Sequence, residues 1–305
     1  MKAGNKTNSW KGSCRKCTAV ILMLSGLIIL NGCHQRDGGH RNSKETRPNI
    51  IYILADDLGY GDLGVYGQEK IETPYIDALA SGGMTFTQHY AGAPVCAPSR
   101  CVLLTGQHSG HAAIRGNDEW ASRGEVWNYA KAVEDPNLEG QRPMPDGIPT
   151  VGTLLQSVGY RTAVVGKWGL GAPMTGSVPN NRGFDFFYGY NCQRQAHTYY
   201  PRHLWKNREK VWLDNELVVP GTRLDPGEDP LDPESYGRYR LEAYAPDLMQ
   251  QEVLGFIRSN RDRPFFLYYA TPIPHVPLQA PAAWVSHYVS KFGDEAPYDG
   301  SQGYF

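Results

Sequence analysis

The sequence predicts an α/β protein with a large mixed central sheet flanked by helices, because two kinds of segment alternate along it. Continuous apolar runs of strand length occupy residues 49–55, 161–165 and 264–270, as expected of strands covered on both faces. Amphipathic stripes with a 3.6-residue period lie between them, which implies layers of helix against sheet. A chain of 305 residues with 34 glycines and 22 prolines is long enough for one sizeable, loop-rich domain.

The first strand, Asn49 to Ala55, ends abruptly in Asp56-Asp57. Thr73 then caps a helix with Pro74 in its first turn, an apolar stripe of Ile76, Leu79 and Ala80, and a stop at Gly82-Gly83. Met84 to Tyr90 reads as a short strand, and Ser99 to Leu104 as a helix stopping near Gly106. Thr150 caps a further helix whose face is Val151, Leu154, Leu155 and Val158, and the strand Arg161 to Val165 follows. Met249, Val253, Phe256 and Ile257 line one more helical face before the strand Pro264 to Ala270. The stretches 107–149 and 171–240 lack periodicity and read as long, substrate-shaping loops on the sheet.

Residues 1–33 read as a targeting segment, with Lys2, Lys6, Lys11, Arg15 and Lys16 ahead of an apolar run from Thr18 to Leu30 that is short for a bilayer span. Its end, Leu30-Asn31-Gly32-Cys33, resembles a bacterial lipobox, in which the cysteine is acylated; plain cleavage or an uncleaved anchor are the alternatives. The expectation is export, either to the periplasm or outer membrane as a lipoprotein held at Cys33, or by secretion, with no membrane contact beyond the lipid. Residues 34–47 form a polar linker, and 48–305 the catalytic domain. Thirty basic against 31 acidic residues argue against a nucleic-acid partner. Past the targeting segment only Cys96, Cys101 and Cys192 remain, and an odd number in an exported domain leaves at least one free or chemically employed.

Ligands of open α/β sheets collect beyond the carboxyl ends of strands, where Asp56 and Asp57 lie. Adjacent carboxylates there suit a hard cation such as Ca²⁺ or Mg²⁺, or else cap a solvated turn. Cys96 starts a helix whose free N–H groups favour an anion, with Arg100 one turn later; a buried structural cysteine is the plainer reading.

The run Val95-Cys96-Ala97-Pro98-Ser99-Arg100-Cys101-Val102-Leu103-Leu104-Thr105-Gly106 resembles the signature C-x-P-S-R-x-x-L-L-T-G of type I sulfatases, members of the alkaline phosphatase superfamily. The resemblance implies conversion of Cys96 to Cα-formylglycine by a formylglycine-generating enzyme. Its hydrated aldehyde attacks the sulfur of a sulfate ester with one hydroxyl and expels sulfate with the other. It also assigns Asp56, Asp57 and residue 96 to Ca²⁺, and Arg100 to the hydrated aldehyde.

Gly166-Lys167-Trp168-Gly169-Leu170-Gly171 is similar to the family's G-K-W-H-L-G, so Lys167 is expected to bind a sulfate oxygen. The family's histidine is Gly169 here. His197, with His203 behind it, is a candidate substitute from the loop Gln195 to His203, although a structural or surface role suits a lone loop histidine better. Thr271-Pro272-Ile273-Pro274-His275 resembles the segment whose histidine contacts sulfate and assists the leaving group, which makes His275 the expected general acid. Arg194, Arg202, Lys206, Arg208 and Lys210 interleave with Tyr199, Tyr200, Trp205 and Trp212. They either hold a sulfated sugar or snorkel over an aromatic core.

A later Asp-Asn-Gly segment and a later lysine of the family do not occur before Phe305. The sheet is therefore expected to be incomplete on its C-terminal side. The implied activity is sulfate ester hydrolysis on a sulfated carbohydrate or an aryl sulfate. The alternatives are an inactive sulfate-binding fragment and a phosphate or phosphonate ester hydrolase of the same superfamily.

Overall fold

A computed structural model describes residues 47–229 and 232–293. The expected targeting segment with Cys33, nearly all of the linker, and the final residues to Phe305 lie outside this range. One six-stranded mixed sheet organises the described residues, in the order β1-β6-β2-β3-β4-β5. In chain order the strands are β1 (Ile50–Asp56), β2 (Arg161–Lys167), β3 (Phe186–Tyr190), β4 (His203–Lys206), β5 (Glu209–Trp212) and β6 (Phe265–Pro274). The first four in spatial order, β1, β6, β2 and β3, are mutually parallel, while β4 and β5 add an antiparallel hairpin. The helices are α1 (Pro74–Gly82), α2 (Cys96–Thr105), α3 (Tyr129–Glu134), α4 (Val151–Ser157), α5 (Ala245–Asn260) and α6 (Ala282–Phe292).

Alternation along the central strands builds three layers. Val164, Phe266 and Tyr268 join Ala97, Cys101 and Leu104 of α2, with Val151 and Leu155 of α4 against them. Ala163, Val165, Phe265 and Leu267 point the other way, onto Met249, Val253 and Phe256 of α5. The parallel direction brings the carboxyl ends of four strands to one edge of the sheet, so Asp56, Lys167, Tyr190 and Pro274 end their strands there. At Gly166 the backbone takes φ +113°, and an added Cβ would come 2.0 Å from the Ala270 carbonyl oxygen. Only glycine lets β2 lie this close to β6.

Four expectations need correction. β1 is covered on one face only: Tyr52 and Leu54 pack into the core, while Ile51 and Ile53 are 48% and 61% exposed among the described residues. The cause is position: among the described residues β1 is the edge strand, and the cluster built on α5 includes no residue of it. Met84 to Tyr90 forms no strand, and Met84, Phe86 and Tyr90 are exposed, because no sheet edge pairs with them. The stripe of α1 is likewise exposed at Ile76 and Leu79, and that of α4 at Leu154 and Val158. Residues 171–240 are not merely loops, because they contribute three of the six strands.

Other signals hold. Thr150 caps α4 in a reciprocal pair with Thr153, and Gly106 closes α2 with φ +67°. All three described cysteines are free. No helix among the described residues is long and apolar enough to cross a membrane.

Candidate active site

The carboxyl edge of the sheet gathers six of the seven predicted residues through direct contacts, and His197 joins them from a loop. Asp56 is buried at the end of β1, where a slip in register between Ala55 and Asp56 pairs it with Pro274. Its two oxygens face two cations: Lys167 Nζ lies 2.7 Å from Oδ2 and Arg100 Nη2 lies 3.0 Å from Oδ1. Arg100 also donates through Nη1 to the Lys167 carbonyl at 2.6 Å. Burial by itself would push the Asp56 carboxyl up, but Arg100 and Lys167 hold it below the ordinary carboxylate range.

Cys96 opens α2. The helix start is fixed from outside, because the Ala97 N–H donates to Asn117 Oδ1 at 2.9 Å. Asn117 belongs to the 107–149 segment and carried no signal in the sequence. Lys167 Nζ stands 3.5 Å from Cys96 Sγ. Burial by itself would raise the thiol pKa, but a hydrogen bond with His275 and the charge of Lys167 outweigh it and lower it.

His275 follows the end of β6. Its Nδ1 lies 2.6 Å from the Val276 carbonyl oxygen, which can only accept, so Nδ1 carries the proton and Nε2 faces the site. Nε2 lies 3.5 Å from Asp57 Oδ2. Burial by itself would lower the His275 pKa, but the hydrogen bonds with Cys96 and the Val276 carbonyl raise it. Asp57, exposed and in the left-handed region at φ +63°, turns away from β1 towards this ring.

His197 ends a 3₁₀ turn, Arg194–His197, and its ring stacks on His275 with centroids 4.7 Å apart. Burial first, then Lys167 and His275, push it down to about 3, so it is neutral near pH 7. His203 lies elsewhere. It is buried against Glu139, 3.2 Å from Oε2, and against Gln195, which makes it a packing residue. The basic and aromatic side chains around it mostly meet one another: Lys210 sits over Trp205 and Trp212, Arg202 over Trp212, and Arg194 over Trp127 and Tyr129. Tyr199, Tyr200 and Trp205 are buried, so the snorkelling reading describes this loop.

Donor atoms of Asp56, Cys96 and His275 lie within 4.8 Å of one another. Cys96 Sγ here marks the place that the oxygens of a modified residue would take. The Asp56 carboxylate and an oxygen at position 96 suit a hard cation in kind, while Asp57, turned to His275, lies outside that cluster. Asp56 and residue 96 make up part of the roughly six to eight oxygens that Ca²⁺ takes.

In comparisons with known proteins, the family model described as Sulfatase matches residues 48–300. The arylsulfatase of Klebsiella aerogenes is 28% identical over 84% of this chain and 49% of its own length. The N-acetylgalactosamine-6-O-sulfatase of Bacteroides thetaiotaomicron is 28% identical over 86% of this chain and 55% of its own. The chain thus spans about half the length of these curated relatives. A crystal structure of Ps i-CgsB in complex with k-i-k-neocarrahexaose superposes with a TM-score of 0.58 at 27% identity, over 80% of this chain and 49% of that one. The mixed sheet with flanking helices is therefore shared with solved relatives.

Proposed function

The chain belongs to the sulfatase family, and on that premise we propose that it hydrolyses sulfate esters with a nucleophile made from Cys96. The observation that carries this reading is the convergence of Lys167 on Asp56 and Cys96, at 2.7 and 3.5 Å, on the edge where four parallel strands end. A buried ammonium with one side towards the nucleophile is placed to bind an anionic ester oxygen and to offset charge that grows in the transition state.

Converted to formylglycine, position 96 supplies a hydrated aldehyde that attacks sulfur with one hydroxyl and releases sulfate through the other, which an ordinary serine or cysteine cannot do. Ca²⁺, or Mg²⁺ as the smaller alternative, would be held by Asp56, Asp57 and residue 96 and would supply Lewis-acid polarisation of the ester. Arg100 keeps Asp56 ionised and in place. His275, protonated on both nitrogens with Nδ1 tied to Val276 and Nε2 facing residue 96, gives its Nε2 proton to the departing alcohol oxygen. Neutral His197 stacks against it, fixes the ring plane and offers a hydrogen bond without adding charge.

The substrate class proposed is a sulfated carbohydrate, supported by the sugar-sulfatase name of one relative and the oligosaccharide bound in the other. The test is turnover by the full chain, produced together with a formylglycine-generating enzyme, on sulfated sugars, aryl sulfates and phosphonate esters. Sulfate ester hydrolysis that Cys96→Ala abolishes supports the reading; preference for the phosphonate, or sulfate binding without turnover, contradicts it.

A further inference from the structure

We infer that Gln193 is a substrate-binding residue of this site, taking over with its carboxamide the place of the side chain that position 169 lacks. The inference rests on the sulfatase reading and deepens it.

Past their last paired residues β2 and β3 stay side by side: the Trp168 N–H donates to the Tyr190 carbonyl at 2.9 Å and the Gly169 N–H to the Asn191 carbonyl at 3.2 Å. This brings Gly169, two residues after Lys167, against Gln193. A Cβ built on Gly169 would lie 2.0 Å from Gln193 Nε2 and 2.5 Å from Cδ, and Gly169 has φ +70°. The amide of Gln193 therefore fills the space into which any side chain at 169 would project. Glycine at 169 and glutamine at 193 form one arrangement, and a residue with a Cβ at 169 would displace the amide.

Gln193 is 3% exposed, yet among the described residues neither Nε2 nor Oε1 has a hydrogen-bond partner. Buried amides are nearly always satisfied, so an unpaired one at a catalytic edge points to a ligand. Its backbone is held: the Gln193 N–H donates to Gln141 Oε1 at 2.9 Å, and Gln141 Nε2 donates to Glu119 Oε1 at 2.9 Å. From this anchor the chain runs directly into the 3₁₀ turn that places His197 on His275. Sulfate oxygens only accept, so the Nε2–H edge is the one that meets the ester. The site so built meets the sulfate group with the ammonium of Lys167 and a neutral donor, Gln193.

The experiment compares Gln193→Met with wild type in kcat/KM on a sulfate ester and in melting temperature. Methionine fills the space and cannot donate. The expected result is a fall in kcat/KM on the order of 10²-fold with a melting temperature that stays level or rises, whereas a packing role leaves kcat/KM unchanged. Wild-type activity with an unchanged methionine variant overturns the role of Gln193 alone. A wild type that hydrolyses no sulfate ester overturns the sulfatase reading and this inference with it. Should the methionine variant fail to fold, titrating wild type with inorganic sulfate decides: the side-chain amide resonances of Gln193 are expected to shift, and bound sulfate that leaves them unmoved contradicts the inference.

Discussion

Lys167, with its side chain wholly buried, holds its ammonium 2.7 Å from the carboxylate of Asp56. Two strands that are not neighbours in the sheet, β2 and β1, are thereby joined by an ion pair across the end of β6. Removing Lys167 leaves Asp56 buried with Arg100 as its remaining cation. Lys167→Met is expected to cost about 1–3 kcal/mol of stability and to lower turnover by roughly 10²- to 10³-fold. Urea unfolding and kcat measure the two effects. Asp56→Asn added to Lys167→Met is expected to lower stability further, because it leaves Arg100 buried without its carboxylate, and to recover none of the turnover. A Lys167→Met protein as stable and active as wild type would show that the pair is incidental.

The two stacked histidines are expected to separate in their effects. His275→Ala removes the proton donor and should lower kcat by about 10²- to 10⁴-fold on an alkyl sulfate. The loss should shrink on an aryl sulfate whose phenol leaves without help. His197→Ala removes only the support and a neutral hydrogen bond, so it is expected to lower both rates to a similar, smaller extent. Equal losses for the two variants on both substrates would contradict these roles.

Much of this edge was legible before the fold. Asp56, Lys167 and His275 each follow a run of strand-forming residues, and Cys96 and Arg100 lie inside a twelve-residue signature. Local pattern carries that information. The hairpin of β4 and β5 was not legible, since its strands are four residues each and mix aromatic with basic side chains, which shows neither alternation nor an apolar run. Asn117 and Gln193 were missed for a different reason: each acts on a residue at least 20 positions away, a contact that only the tertiary fold creates. Gly169 did mark the gap in the family pattern, but not which side chain fills it.

Glu119 gives a pH dependence of stability. Burial, set against Arg194, the Gln141 hydrogen bond and Arg123 and aided by Asp118, pushes it up from the ordinary 4.5 to about 7. A carboxyl raised in this way keeps its proton in the folded state after the unfolded chain has released it. Stability therefore falls as pH rises between about 4.5 and 7. Glu119→Gln is expected to match wild type at low pH and to exceed it by about 1–3 kcal/mol above neutrality. Chemical denaturation on either side of this window checks the sign, and a difference that does not change with pH would contradict it.

Gly166 offers a test of the sheet that is independent of chemistry. Gly166→Ala drives a methyl group into the Ala270 carbonyl and demands a left-handed alanine. The loss is expected to exceed about 3 kcal/mol, read as a lower unfolding midpoint. A variant of wild-type stability would mean that β2 and β6 do not approach as described.

The most direct test of the central claim is the mass of the peptide containing Cys96, from chain produced with and without a formylglycine-generating enzyme. With the enzyme the peptide is expected to lose a sulfur and two hydrogens and gain one oxygen, and sulfate ester hydrolysis is expected to rise with the converted fraction. An intact thiol at Cys96 in protein that hydrolyses sulfate esters at full rate would contradict it.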